Sequence, residues 1–152
     1  MLNDNFTLYS DTLKYNTFNK NSTILGPSTI VSDSGTLSTN RGWYDTQTEE
    51  SVLLNRSLVV NKEGNRFLTG DSISYHRIEG YGEVFGNMFL QDTLNKIILR
   101  GHYGYYNDVD KYAMATDSAW TIEYSQGDSL YLHGDTLKMI TDSVYRELKA
   151  YY

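Results

Sequence analysis

A ten-residue stretch that the chain writes five times constrains its fold more than any other feature. Thr36-Leu37-Ser38-Thr39-Asn40-Arg41-Gly42-Trp43-Tyr44-Asp45 has counterparts beginning at Thr7, Phe67, Ile98 and Leu130. Their anchors are Tyr15, Tyr44, Tyr75, Tyr106 and, in the last copy, Met139. The anchors stand 29, 31, 31 and 33 residues apart (44−15, 75−44, 106−75, 139−106). A period in this range marks an architecture of stacked units, in which each unit buries its apolar face only against its neighbours.

Within each unit the apolar residues alternate or form short runs bounded by Asn, Asp, Gly and Ser, which is the pattern of strands. Leucine lies seven before every anchor (Leu8, Leu37, Leu68, Leu99, Leu132). Two before the anchor are Leu13, Gly42, Ile73, Gly104 and Leu137. Seven and two differ in parity, and strand side chains alternate strictly, so the alternation must reverse between them. The pairs Ser10-Asp11, Thr39-Asn40, Gly70-Asp71, Gly101-His102 and Gly134-Asp135 lie there, a small residue followed in each case by a polar one. That composition suits a β-bulge or corner.

The second half of the unit repeats as well. Ile24, Leu53, Val84, Ala115 and Leu148 lie nine after the anchor, and Gly26, Asn55, Gly86, Asp117 and Ala150 eleven after. The eleventh position predicts a second bend. Beyond it the apolar set is expected at fourteen (Thr29, Leu58, Phe89, Trp120) and sixteen (Val31, Val60, Gln91, Ile122). Turns at 32–35, 61–65, 92–96 and 125–128 separate the units. Each unit therefore reads as two bent strands. The segment 142–152 could form a short helix, but Leu148 and Ala150 fall on strand positions. The chain ends within a unit, which suggests a piece of a longer array, with residues 1–152 as one domain.

Composition removes several functions. A net charge of −6 argues against nucleic acid as a partner, because the phosphate backbone needs a basic face. There is no cysteine, which excludes a disulfide framework and a thiolate zinc site. The start, Met1-Leu2-Asn3-Asp4-Asn5, lacks the basic and apolar regions of a signal peptide. Either the protein is cytosolic or a leader is absent from this chain. No carboxylate pair recurs at a catalytic spacing, no Gly-x-Ser-x-Gly elbow occurs, and no glycine-rich loop opens a helix, so no enzyme and no cofactor are expected. His76, His102 and His133 raise the question of a metal, with His102 and His133 on adjacent units. No third ligand accompanies them, and surface histidines are the expectation.

Taken together, Thr36-Leu37 with Tyr44-Asp45-Thr46-Gln47-Thr48, the run Leu68-Thr69-Gly70-Asp71-Ser72-Ile73-Ser74-Tyr75, and Gly86-Asn87-Met88 resemble the repeats of the OstA-like family, which includes LptA-type lipopolysaccharide-transport proteins. The resemblance spans nearly the whole chain, about four and a half units. It departs from the family pattern at Asn40, His102 and Met139. It implies an antiparallel β-jelly roll, twisted and slightly open, that carries lipopolysaccharide in the periplasm with acyl chains in its apolar interior. The implied partners are lipopolysaccharide or a related lipid, and other Lpt-type jelly-roll proteins or a second copy, joined head to tail by edge strands. An association with the outer membrane is implied as well.

The expected trough lining is Leu8, Leu13, Leu37, Leu53, Leu58, Leu68, Ile73, Val84, Phe89, Leu99, Ile122 and Leu132. The same residues could instead fill a closed core, which would suit a structural or adhesive repeat protein without a ligand. The anchor tyrosines could put their hydroxyls at the mouth, or form a packing ladder. Tyrosines turned outward beside carboxylates would instead suit a carbohydrate-binding solenoid. The cations Lys14, Lys20, Arg41, Arg56, Lys62, Arg66, Arg77, Lys96 and Arg100 could gather at one rim to meet an anionic headgroup.

Overall fold

The computed structural model describes residues 2–3, 6–107, 109–141 and 146–152. They form fourteen strands: β1 (Leu2–Asn3), β2 (Phe6–Ser10), β3 (Leu13–Asn16), β4 (Asn21–Ile24), β5 (Ser28–Ser32), β6 (Gly35–Thr39), β7 (Arg41–Asp45), β8 (Glu50–Asn61), β9 (Arg66–His76), β10 (Tyr81–Asp92), β11 (Ile97–Asn107), β12 (Tyr112–Gln126), β13 (Asp128–Thr141) and β14 (Arg146–Tyr151). All belong to one antiparallel sheet in the order β1-β2-β5-β6-β8-β9-β10-β11-β12-β13-β14, with β3, β4 and β7 reaching β8 by a second path. From β8 onward one strand runs through both halves of a unit. Before β8 the same path is broken at the corner into separate strands.

The register divides the sheet into two limbs that meet along a corner. On the first limb Leu8, Ile30, Leu37, Val59, Leu68, Leu90, Leu99, Thr121 and Leu132 pair in one unbroken cross-strand row. On the second limb the equivalent row is Leu13, Ile24, Gly42, Leu53, Ile73, Val84, Gly104, Ala115, Leu137 and Ala150. These rows supply most of two core clusters, one around Leu53, Ile73, Leu90, Leu99 and Leu137, the other around Leu8, Ile24 and Ile30. Thr121 is the one polar member of its row, and its hydroxyl donates to the Ile98 carbonyl at 2.7 Å. That bond removes the cost of an unsatisfied buried hydroxyl.

The corner explains the small-then-polar pairs. Ser10, Ser28, Thr39, Ser57, Gly70, Gly101 and Gly134 stand on its inner side, where the two limbs converge. A Cβ on Gly70 would lie 2.1 Å from the Val84 Cγ1, and one on Gly101 would lie 2.7 Å from the Thr116 carbonyl. In the first units the side chains there are hydroxyls that bond their neighbours, Ser10 to Ser28 at 2.7 Å and Ser57 to Thr39 at 2.6 Å, and in the later ones the buried Met88 and Ala119 face Gly101 and Gly134. Opposite the corner, Asn55-Arg56, Gly86-Asn87 and Asp117-Ser118 have left-handed backbone (φ 48 to 77°) and the ladders skip there, so each pair is a two-for-one bulge.

The outer ends of the second limb close by a repeated turn. Asn16, Asp45 and Asn107, each directly after an anchor, accept backbone N–H bonds from residues two and three further on. Four residues later Lys20, Glu49 and Lys111 take positive φ. The Tyr-Asp and Tyr-Asn pairs of the repeat are thus a wall residue followed by the cap of its own turn.

The C-terminal strand reading holds for Arg146–Tyr151, which pair with β13, while 142–145 lie outside the described residues. Its register is corrected. Met139 pairs with Leu148, nine residues on, where the other anchors pair with a residue seven on (Ser22, Ser51, Gly82, Ala113). Leu148 therefore stands in the anchor row, and Ala150 stands where Leu148 was expected.

Candidate functional site

The space between the limbs is graded. Its floor is the small-residue corner. Its walls are the two apolar rows. Its mouth is formed by one further row on each limb. On the second limb that row is Tyr15, Ser22, Tyr44, Ser51, Tyr75, Gly82, Tyr106, Ala113, Met139 and Leu148. Tyr15, Tyr44, Tyr75 and Tyr106 alternate with the small Ser22, Ser51, Gly82 and Ala113, so rings on every second strand have room to lie over the gap. On the first limb the row starts at Phe6, is polar or small through Ser32, Gly35, Asn61, Arg66 and Asp92, and continues to Ile97.

The walls do not close completely. A cavity of about 160 Å³ lies between the limbs, walled by Leu37, Val59, Leu68 and Leu90 on one side and by Ile73, Val84 and Ala113 on the other, with Tyr75, Tyr106 and Arg66 toward the mouth. That is the size of an apolar cavity known to stay dry and take one benzene-sized molecule.

Ring and polar contacts bridge the mouth. The Phe6 ring meets Tyr44 edge-on at 4.7 Å. Arg66 pairs with the Asp92 carboxylate at 3.0 Å, donates through Nη1 to the Tyr106 Oη at 3.0 Å, and lies 5.8 Å from the Tyr106 ring centre. Burial alone would raise the Asp92 carboxyl. The Asn95 N–H at 2.9 Å, the Asn95 amide at 2.7 Å and Arg66 outweigh it and hold the group below the usual carboxylate range.

Beside the Phe6 contact lies a second polar group. Tyr44 is 6% exposed, and neither its Oη nor the buried Arg77 Nη1 has a hydrogen-bond partner among the described residues. Glu49 approaches Arg77 only to 3.7 Å. Burial, then Glu49, raises the Tyr44 phenol, and the neighbouring Arg77 guanidinium opposes that rise.

Of the expected lining, Leu37, Leu68, Ile73 and Val84 meet at the cavity. Leu53 and Leu99 are fully buried in the core beside it. Leu8 is buried and Leu13 half-buried in the cluster around Ile24, and Leu132 packs half-buried on the larger cluster. Leu58, Phe89 and Ile122 are corrected: they stand in the outward-facing rows. Leu58 is 39% exposed, Phe89 lies 5.0 Å under the exposed Arg100, and Ile122 pairs with Tyr131, itself 70% exposed. The inward positions are fifteen after the anchor, Ile30, Val59, Leu90 and Thr121. Sequence reasoning missed Val59, Met88, Leu90 and the polar pair Arg66–Asp92. The recurrence of Ile30, Val59 and Leu90 at fixed spacing was the available signal for the first group.

The charged residues do not form one basic rim. Arg56 and Arg100 line a groove on the outer side of the corner, together with His102, His133 and Asp117, so these two histidines do come together. Among the described residues no group of three or more histidine and acidic side chains could hold a metal. His76 faces Glu50 at 3.2 Å and Glu79 at 3.6 Å. An outward aromatic row runs from His76 through Tyr81 and Tyr105 to Tyr112, but its rings pack on one another, stacked from His76 to Tyr105 and tilted at Tyr112, at 4.4 to 6.2 Å. Their faces are spent on cross-strand packing, the structural use of such a row.

No curated protein matches the chain. A solved structure of LptH from Pseudomonas aeruginosa, described as the LptA-homologous periplasmic component of the lipopolysaccharide transport device, superposes with a TM-score of 0.65. The match covers 84% of this chain and 93% of LptH at 11% identity, and it establishes the fold. Residues 1–66 match the family described as OstA-like protein. The chain is thus similar to the OstA-like family in sequence over residues 1–66, and to the LptA-type β-jelly roll in fold over most of its length.

Proposed function

We propose that this chain is a non-enzymatic periplasmic carrier module that holds the acyl chains of lipopolysaccharide, or a related lipid, between its limbs and passes them toward the outer membrane. The observation that carries the reading is the apolar, incompletely filled space between Leu37, Leu68 and Leu90 on one limb and Ile73 and Val84 on the other. Each methylene moved there from water contributes about 0.8 kcal/mol. An acyl chain exceeds the cavity, so binding in this reading requires the limbs to part at the mouth. Hand-over along a bridge would use the sheet edges. Among the described residues β14 pairs only with β13, and β1 only with β2, so each offers a side for strand addition by another jelly-roll module or a second copy.

The test is saturable binding of fluorescent lipopolysaccharide to the purified chain, with Leu37→Asp and Phe89→Asp checked for folding by circular dichroism. Binding lost in Leu37→Asp and kept in Phe89→Asp supports a ligand between the limbs. No binding by the folded wild-type chain rejects the carrier, and leaves a packed structural repeat protein.

A further inference from the structure

The apolar interior is filled at one end and open in the middle. Phe6, Leu8, Ile24, Ile30 and Tyr44 form a cluster of their own toward β2 and β3, each no more than 6% exposed. None of the five lines the cavity, whose wall begins at Leu37. Leu37 packs on both clusters, so it marks the boundary between the filled stretch and the open one. Rings cap that boundary. Tyr44 belongs to the same unit as Leu37, and of the four anchor tyrosines it alone is buried. Phe6 meets it edge-on at 4.7 Å from β2, two strands beyond β6 on the other limb. The opposite end is built differently. There Met139 stands in the anchor row, and Met88 fills the space over Gly104, its Cγ 2.8 Å from where a Cβ would lie. Unbranched thioether side chains repack more readily than a ring pair.

We infer that Phe6 and Tyr44 are positioning residues that stop a bound acyl chain at Leu37, so that the trough fills from β6 toward β12 while the first unit stays closed. This stop rests on the carrier reading above. Beside Leu37, Leu68, Ile73 and Val84 there is room before any side chain moves. Beyond Tyr44 the interior is close-packed, and every methylene pushed into it must displace a neighbour. It must also part the Phe6–Tyr44 rings, whose edge-to-face contact is lost when they separate. Hand-over across the Phe6 end therefore needs the rings to open, whereas the far end yields by rearranging methionine side chains.

The experiment places the photo-crosslinker p-benzoylphenylalanine at Tyr15 or at Tyr106, anchor-row positions on either side of the stop. Each protein, checked for folding by circular dichroism, is irradiated with fluorescent lipopolysaccharide. Labelling at the Tyr106 position is expected to exceed that at the Tyr15 position by at least about ten-fold. Phe6→Leu keeps an apolar side chain and removes the ring contact, so it is milder than Phe6→Ala. It should raise labelling at the Tyr15 position about five-fold or more and leave the Tyr106 position within about two-fold. Phe89→Leu, which removes a ring from the outer face, should change neither. Equal labelling at both positions without a Phe6 substitution, or labelling at Tyr15 that Phe6→Leu leaves unchanged, would overturn the stop while the carrier reading stands. Labelling at neither position would overturn the carrier reading, and the stop with it.

Discussion

Gly101 shows how tightly single residues are held at the corner. A methyl group there would lie 2.7 Å from the Thr116 carbonyl, a backbone atom that cannot swing aside, so the strands must move. Gly101→Ala is expected to cost about 1–3 kcal/mol in urea denaturation, the range for overpacking. An unchanged midpoint would show that the corner yields. Asp92 makes a pH-dependent contribution instead. Its folded pKa lies below the unfolded value, so its stabilisation is present above about pH 4. It is lost as the pH falls through the folded value. The stability gap between wild type and Asp92→Asn should therefore be wide at pH 7 and shrink below about pH 4. A gap that stays constant down to pH 2 would refute the assignment. Tyr103 has the opposite sign. Burial, then the Glu83 carboxylate that accepts its hydroxyl at 2.7 Å, pushes the phenol up to about 12. Its contribution holds below pH 10 and fades as the pH rises toward 12. In an alkaline absorbance titration one phenol should lag behind the exposed tyrosines, and Tyr103→Phe should remove that lag.

At the scale of the strand, the unit was half legible. The reversal of alternation between Leu8 and Leu13, or between Leu68 and Ile73, could be read because the two positions differ in parity and a small-polar pair lies between them. The second bend looked alike in sequence but acts differently. There, three residues such as Leu54, Asn55 and Arg56 separate the inward Leu53 from the inward Ser57, which keeps the alternation in phase. A bend of that size leaves inward positions at fifteen after the anchor, not fourteen and sixteen. Hydrophobicity gave no warning, because Leu58-Val59-Val60 and Met88-Phe89-Leu90 are apolar on both faces of the sheet. Phe89 and Trp120 lie outside because Arg100 sits between them, about 5 Å from each ring. The polar mouth was illegible for a different reason: Arg66 and Asp92 are 26 residues apart, and only the folded register sets them side by side. The phase argument is testable with truncations. Leu99→Ala, on the inward row, should cost about 2–5 kcal/mol, while Leu58→Ala, outward, should cost under about 1 kcal/mol. Equal costs would mean that the two faces are wrongly assigned.

For the molecule as a whole, the two limbs are joined firmly along the corner and only at points along the mouth. The hydroxyls and glycines of the corner bring the backbones close, whereas the mouth is spanned by the Phe6–Tyr44 contact and the Arg66–Tyr106 bond. Opening for a long apolar ligand must therefore hinge at the corner and break mouth contacts. Arg66 is fixed to Asp92 on its own limb, so the Tyr106 hydroxyl is the group that lets go. Tyr106→Phe keeps the ring over the cavity and removes the bond to Arg66. A hydrogen bond of about 1 kcal/mol is worth roughly five-fold in an opening equilibrium. Lipid uptake measured by stopped-flow fluorescence should accelerate by about that factor in Tyr106→Phe, with the depth of the bound probe unchanged. A rate unchanged or slowed would place the barrier elsewhere, at the corner itself or at the Phe6 end, where Phe6→Ala is the corresponding variant. The two ends need not respond alike: the Phe6 end is closed by ring packing, and the Arg66 end by a charged donor. Raising salt should leave the first unchanged and loosen the second only slightly, because Asp92 is nearly fully buried and a buried pair is poorly screened.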